Sequence, residues 1–161
     1  MERFMELYET VYRDLYRLAY YYLGNAEEAE DAVQDTALAA WEHFGKLKRE
    51  EAFRAWIFRI LVNTCRKAVR KKSRREYLAD EREQRAEGMP DPNLAERLEL
   101  MELLSKLDEE ERMIVTLSVF GGYKGEEIAE ILERRHSTVR SRYRRALKKL
   151  ERELRERRNF R

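Results

Sequence analysis

Cysteine, proline and glycine are scarce in this chain of 161 residues, numbering 1, 2 and 6. The lone Cys65 excludes a disulfide framework and any multi-cysteine metal site, and it suits a reducing compartment. No apolar run approaches the roughly 18 residues that span a bilayer, and the opening MERFMELYET lacks the charge-then-apolar order of a signal peptide. A soluble, cytoplasmic protein is therefore expected. There is no glycine-rich phosphate loop and no Ser/His/Asp set, and His43 and His136 are isolated residues at the ends of helical patterns. Catalysis, a metal, a cofactor and a small-molecule substrate are accordingly not expected.

What the chain has in quantity is charge: 41% of residues are Asp, Glu, Lys or Arg, against 43% hydrophobic. Apolar residues recur three or four apart at Leu7, Val11, Leu15, Leu18 and Tyr22, then Gly24 supplies a stop. Asn25 is a candidate N-cap for a second helix with Ala29, Val33, Ala37, Ala40, Trp41 and Phe44 inward, ending at Gly45. A third helix is expected to bury Phe53, Ile57, Ile60, Leu61, Thr64 and Ala68. Residues 73–93 are polar and hold both prolines, which reads as a flexible linker. Helical periodicity resumes through Leu94, Leu98, Met101, Leu104 and Leu107, and again through Met113, Ile114, Leu117 and Phe120. Two further helices are expected at about 126–132 and from about 137 to beyond 150, and strand alternation appears nowhere. The fold class is all-α: two helical modules, 1–72 and 94–161, joined by the linker.

The net charge of +2 says little about partners, whereas the distribution says more. Residues 26–35 carry five acids and no base, 66–75 seven bases and no acid, and 134–149 eight bases and no acid. Such blocks are ordinarily solvated helix faces. Two basic blocks on separate modules are harder to assign to solubility alone.

Three constellations could carry function. EEIAEILERRHSTVRSRYRRALKKL has the layout of a helix-turn-helix. Its second helix would turn Val139, Tyr143, Ala146 and Leu150 inward, leaving Arg135, His136, Ser137, Thr138, Arg140, Ser141, Arg144 and Lys148 for DNA. Glu133 stands in the turn where a glycine is common, and Glu tolerates a left-handed backbone poorly. On the third helix, Trp56, Arg59, Asn63, Arg66 and Arg70 step by 3, 4, 3 and 4, a stripe that could stack single-stranded bases and hold their backbone. A Trp at such a position is more often part of a core than a platform for bases. The acidic second helix cannot sit on duplex DNA, so it is either a solvated face or a surface for a protein partner.

These residues resemble the bacterial RNA polymerase sigma factors of the extracytoplasmic-function type. AEEAEDAVQDTALAAW followed by FRAWIFRILVNTCRKAVRKKSR is similar to that family's second region. LLSKLDEEERMIVTLSVFGGYKGEEIAEIL followed by STVRSRYRRALKKL is similar to its fourth. The resemblance implies that Glu30, Asp31, Gln34 and Asp35 dock on the polymerase core, at its clamp helices. It implies that Trp56 and Asn63 open and read the minus-ten element, beside a loop from Gly45 to Glu51 that holds a flipped base. Lys46, Lys48, Arg49, Arg59, Arg66 and Arg70 join them as candidate minus-ten contacts, and the residues of the last helix read the minus-thirty-five element. The implied partners are RNA polymerase core, promoter DNA and, since many relatives are held inactive by one, an anti-sigma factor. A stand-alone helix-turn-helix regulator is the alternative, and it would leave the acidic helix and the Trp/Asn stripe without a role.

Overall fold

The computed structural model describes residues 1–70 and 92–160; the segment read as a linker lies outside the described residues except for its last two positions. Among the described residues there are seven α-helices and no strand: α1 Glu2–Leu23, α2 Ala26–His43, α3 Phe53–Val69, α4 Leu94–Ser105, α5 Glu109–Val119, α6 Gly125–Leu132 and α7 His136–Asn159. The first three pack on one another, and α5 packs on α6 and α7 with α4 against α7. None of the described helices is long and apolar enough to cross a membrane.

Local chemistry accounts for the boundaries. Gly24 ends α1 in the left-handed conformation, φ 78°, and donates its N–H to the Tyr20 carbonyl at 2.8 Å. Glycine takes that backbone without a Cβ clash. The next residue, Asn25, starts α2 by accepting the Glu28 N–H on its side-chain oxygen at 2.8 Å. In the second module Asp108 and Glu111 form a capping box, each side chain taking the other's backbone N–H, at 2.8 and 2.9 Å. Glu111 is fully buried, and Lys149 on α7 donates to the same carboxylate at 2.7 Å. One side chain therefore caps α5 and anchors α7 to it.

Several burial expectations change. On α3, Phe53, Ile57 and Leu61 are buried as expected, but Ile60 and Thr64 are half-buried and Ala68 is exposed. Phe58, Val62, Cys65 and Val69 are buried in addition. A single apolar stripe assumes one packing partner; α3 has α1 and α2 on one side and α6 on another. Enclosure pushes the Cys65 thiol well above its ordinary pKa, which keeps it neutral and unreactive. Trp41, expected inward, is 40% exposed. The inward face of α2 is built from small side chains, Ala29, Ala32, Val33, Thr36 and Ala40, so the helix sits close to its neighbours and the indole is left at the rim, edge-on to Phe4. The helix-turn-helix forms as expected, with Glu133 at φ 55° and ψ 46°.

A left-handed backbone costs an L-residue roughly 1–2 kcal/mol. Glu133→Gly is therefore expected to raise stability by up to about 1 kcal/mol, after allowing for the greater freedom of glycine in the unfolded chain. Denaturant melts of the two proteins check this; a loss of about 1 kcal/mol would mean the turn carries no such strain.

The two modules share one contiguous apolar cluster. Tyr21 at the end of α1 stacks on Phe120 just after α5, with centroids 4.8 Å apart and planes 6° apart, and Phe58 on α3 meets the Tyr123 ring edge-on at 5.4 Å. Gly121 is needed at this junction, because a Cβ there would lie 2.6 Å from the Leu117 carbonyl oxygen and 2.7 Å from the Tyr123 ring.

Candidate nucleic-acid interface

The acidic face of α2 is open. Glu30, Asp31, Gln34 and Asp35 are all exposed. Acids in the first turn of a helix are favoured by the positive end of its dipole, an effect that fades within that turn. Glu27 and Glu28 are explained in this way, while Asp31 and Asp35 lie further along and are not. Sequence reasoning missed an apolar component beside them. Tyr8 and Tyr12 of α1, with Glu30, Val33, Gln34, Ala37 and Leu38 of α2, line a groove of about 430 Å³. Leu38 stands 62% exposed at its edge. The available signal was its spacing, seven residues from Asp31 and therefore on the same helix face. Burial pushes the Tyr8 hydroxyl up to about 12, so it faces this groove as a neutral phenol.

The second surface joins α3 to the loop before it. Lys46, Lys48 and Arg49 are exposed, and the loop is pinned to α1 where Arg3 donates its Nε to both oxygens of Glu50 at 2.9 Å. The guanidinium holds the Glu50 carboxyl below the usual carboxylate range. Trp56 is half-buried, with its ring centroid 5.9 Å from that of Phe53. It thus packs against the core while remaining partly exposed to solvent. Arg59 and Asn63 are exposed one and two turns on. The stripe then divides: Arg66 and Arg70 line a cleft with Tyr22 of α1 and Glu109, Glu110, Met113, Leu132 and Arg134 of the second module.

The third surface is α7, whose first residue is His136, one earlier than expected, with Arg135 at its N-cap. Arg135, His136, Ser137, Arg140, Ser141, Arg144 and Lys148 are exposed and Thr138 is half-buried, while Val139 and Ala146 are buried. The structure sorts the eight bases of this block. Arg134 and Arg142 place their Nε atoms 3.1 and 3.6 Å from the two oxygens of Glu110, and Lys149 is held by Glu111. Those three are turned towards α5. Arg145, which the sequence reading left out, is exposed with the outward set. Gly125 makes room for the His136 ring, since a Cβ would lie 3.1 Å from its Nε2. Among the described residues no group of His, Cys, Asp and Glu could hold a metal ion.

Two family models match the chain, Sigma-70 region 2 over residues 7–75 and Sigma-70 region 4 over residues 97–150. The RNA polymerase sigma factor SigV of Bacillus subtilis is 34% identical over 137 residues, which is 84% of this chain and 81% of the relative. The chain is an RNA polymerase sigma factor of the extracytoplasmic-function type. The ECF sigma factor SigW of the same organism is 29% identical, across 91% of this sigma factor and 86% of SigW. A solved structure of CnrH in complex with the cytosolic domain of CnrY superposes with a TM-score of 0.73 at 28% identity, covering 96% of this chain and 89% of that one. RpoE of Bartonella quintana, solved with the anti-sigma factor NepR, shares the fold with a TM-score of 0.75 over 96% and 98% of the two chains, at 24% identity. The sigma factor's task is to direct RNA polymerase to promoters for transcription initiation. Its α7 runs nine residues past the region 4 match, from 151 to 159.

Proposed function

We propose a division of labour between the modules. The first holds polymerase core through the acidic face of α2 and opens the minus-ten element with Trp56 and Asn63, aided by Lys46, Lys48, Arg49, Arg59, Arg66 and Arg70. The second reads the minus-thirty-five element in the major groove through the outward face of α7. The observation that carries this reading is the separation of charge on the surface: an acidic face that duplex DNA would repel, and outward basic faces on two different modules. A solitary helix-turn-helix regulator would use only the last of these. The protein acts without catalysing a reaction of its own, in the cytoplasm where polymerase is. CnrH and RpoE have been solved with CnrY and NepR, and by likeness an anti-sigma factor is proposed as a third partner.

Trp56→Ala and Asn63→Ala are expected to spare binding to core and to impair promoter opening, because both act on unpaired bases. Stacking on an aromatic contributes about 1–3 kcal/mol per base. Permanganate footprinting of the melted region reads this directly. Normal melting in both variants would return Trp56 to a purely structural role against Phe53.

A further inference from the structure

The first turn of α1 lies ahead of residue 7, where the region 2 match begins, yet it closes the loop between α2 and α3. Phe4, only 4% exposed, sets its ring edge-on to Phe44 at 5.3 Å, where the chain leaves α2, and to Phe53 at 5.8 Å, where α3 begins. Those two rings also meet each other edge-on, with centroids 6.0 Å apart. Both ends of the loop are therefore held on one side chain, and aromatic contacts of this geometry add to the burial of the rings. The neighbouring Arg3 reaches into the loop itself. Its Nε donates to both carboxylate oxygens of Glu50 at 2.9 Å, while its Nη1 donates to Glu6 on its own helix at 2.8 Å.

Inside these anchors two single turns shape the backbone, at Phe44–Lys46 and Glu50–Ala52. Leu47 donates its N–H to the Phe44 carbonyl and Ala52 donates to the Arg49 carbonyl, each at 3.1 Å, and the Leu47 side chain packs on the apolar cluster. Lys46, Lys48 and Arg49 are left exposed, with the Glu50 carboxylate next in the chain. Bonded to Arg3, that negative charge is offset where a nucleic-acid backbone would approach. An ion pair as exposed as this one adds little to the stability of a whole fold. A loop shaped by single turns needs no more than that to be held in one arrangement rather than spread over several.

We propose that the first turn of α1 is a positioning element for minus-ten recognition: Phe4 fixes the two ends of the loop 45–51, and Arg3, acting through Glu50, holds its middle in the shape that receives an unpaired base. The inference rests on the reading of this loop as the holder of a flipped base. Arg3 is a positioning residue and touches no DNA in this account. Without it the base meets a loop that is correctly shaped only part of the time, and the apparent affinity falls in proportion to the competent fraction.

The test uses the full chain assembled with polymerase core and a set of forked promoter DNAs that differ only in the unpaired bases of the minus-ten element. Arg3→Gln is expected to leave core binding and helicity unchanged and to reduce the preference for the best base over the others by about three- to five-fold. In the free protein, amide hydrogen exchange at Leu47 and Ala52 should quicken in the same variant. Arg3→Glu alone should lose at least as much preference, and the charge exchange Arg3→Glu with Glu50→Arg should restore most of it, which a loss caused by general loosening of the fold would not allow. Wild-type base preference in Arg3→Gln would overturn the positioning role while leaving the loop reading intact, and so would a charge exchange that restores nothing. A wild-type protein indifferent to every unpaired base would instead remove the loop reading, and the inference with it.

Discussion

Reversing the charge of both Asp31 and Asp35 to Lys is expected to weaken binding to polymerase core by at least about 30-fold, which corresponds to about 2 kcal/mol. Both carboxylates are exposed on the outward face of α2, so the substitutions disturb no packing within the module. Their position beyond the first helical turn means that the helix itself gains little from them. Titration of labelled core with each protein gives the dissociation constants. A rim position would show mainly as a slower association that recovers at high salt, whereas a buried pair would show as faster dissociation. Leu38→Asp, at the edge of the adjacent groove, should act in the same direction without altering helicity. Wild-type affinity in the double charge reversal would remove α2 from the polymerase interface.

The second large effect is expected on α7. Arg140→Ala or Arg144→Ala should cost about 1–3 kcal/mol if the guanidinium meets a guanine edge, with the loss concentrated at one base position. If the contact is to phosphate, weakening should be similar across sequences and the salt slope should fall by about one. Arg142→Ala supplies the contrast, since that side chain is tied to Glu110 and turned towards α5. Its effect should appear in the stability of the module rather than in base preference. Promoter libraries randomised at the upstream element distinguish these cases, and an unchanged preference at every upstream base in the Arg140 and Arg144 variants would deny the helix a reading role.

The contrast between Arg140 and Arg142 shows where sequence reasoning ran out. Periodicity correctly turned Val139 and Ala146 inward and Arg140 and Arg144 outward, because a 3.6-residue repeat decides the face of a helix without knowledge of its partner. It could not divide a block of eight bases into those held by Glu110 and Glu111 and those left facing solvent. That division depends on α5 crossing beside α7, a tertiary fact. The same limit explains the ends of α1 and α3. Ala19 to Leu23 are all buried, and Phe58, Val62, Cys65 and Val69 join the α3 core, because a second module some 90 residues away closes over faces that a one-partner pattern leaves to solvent. Gly24 and Asn25, by contrast, were legible as stop and start, since the chemistry of a cap is confined to a few neighbouring residues. The acidic face was legible as a face, but its apolar neighbour was not: Leu38 and the tyrosines at 8 and 12 form one groove only once α1 and α2 are packed.

The central claim is that this chain needs two surfaces at once, one for polymerase and one for promoter DNA. Mixing the protein with polymerase core and a forked promoter fragment, and comparing DNA retention with core, without core and with the Asp31→Lys/Asp35→Lys variant, tests it directly. Specific retention of the fork should depend on core and fall in the variant while its region 4 module still binds duplex DNA weakly. Equal retention of the fork by wild type and variant, with or without core, would contradict the account and leave a DNA-binding regulator that works alone.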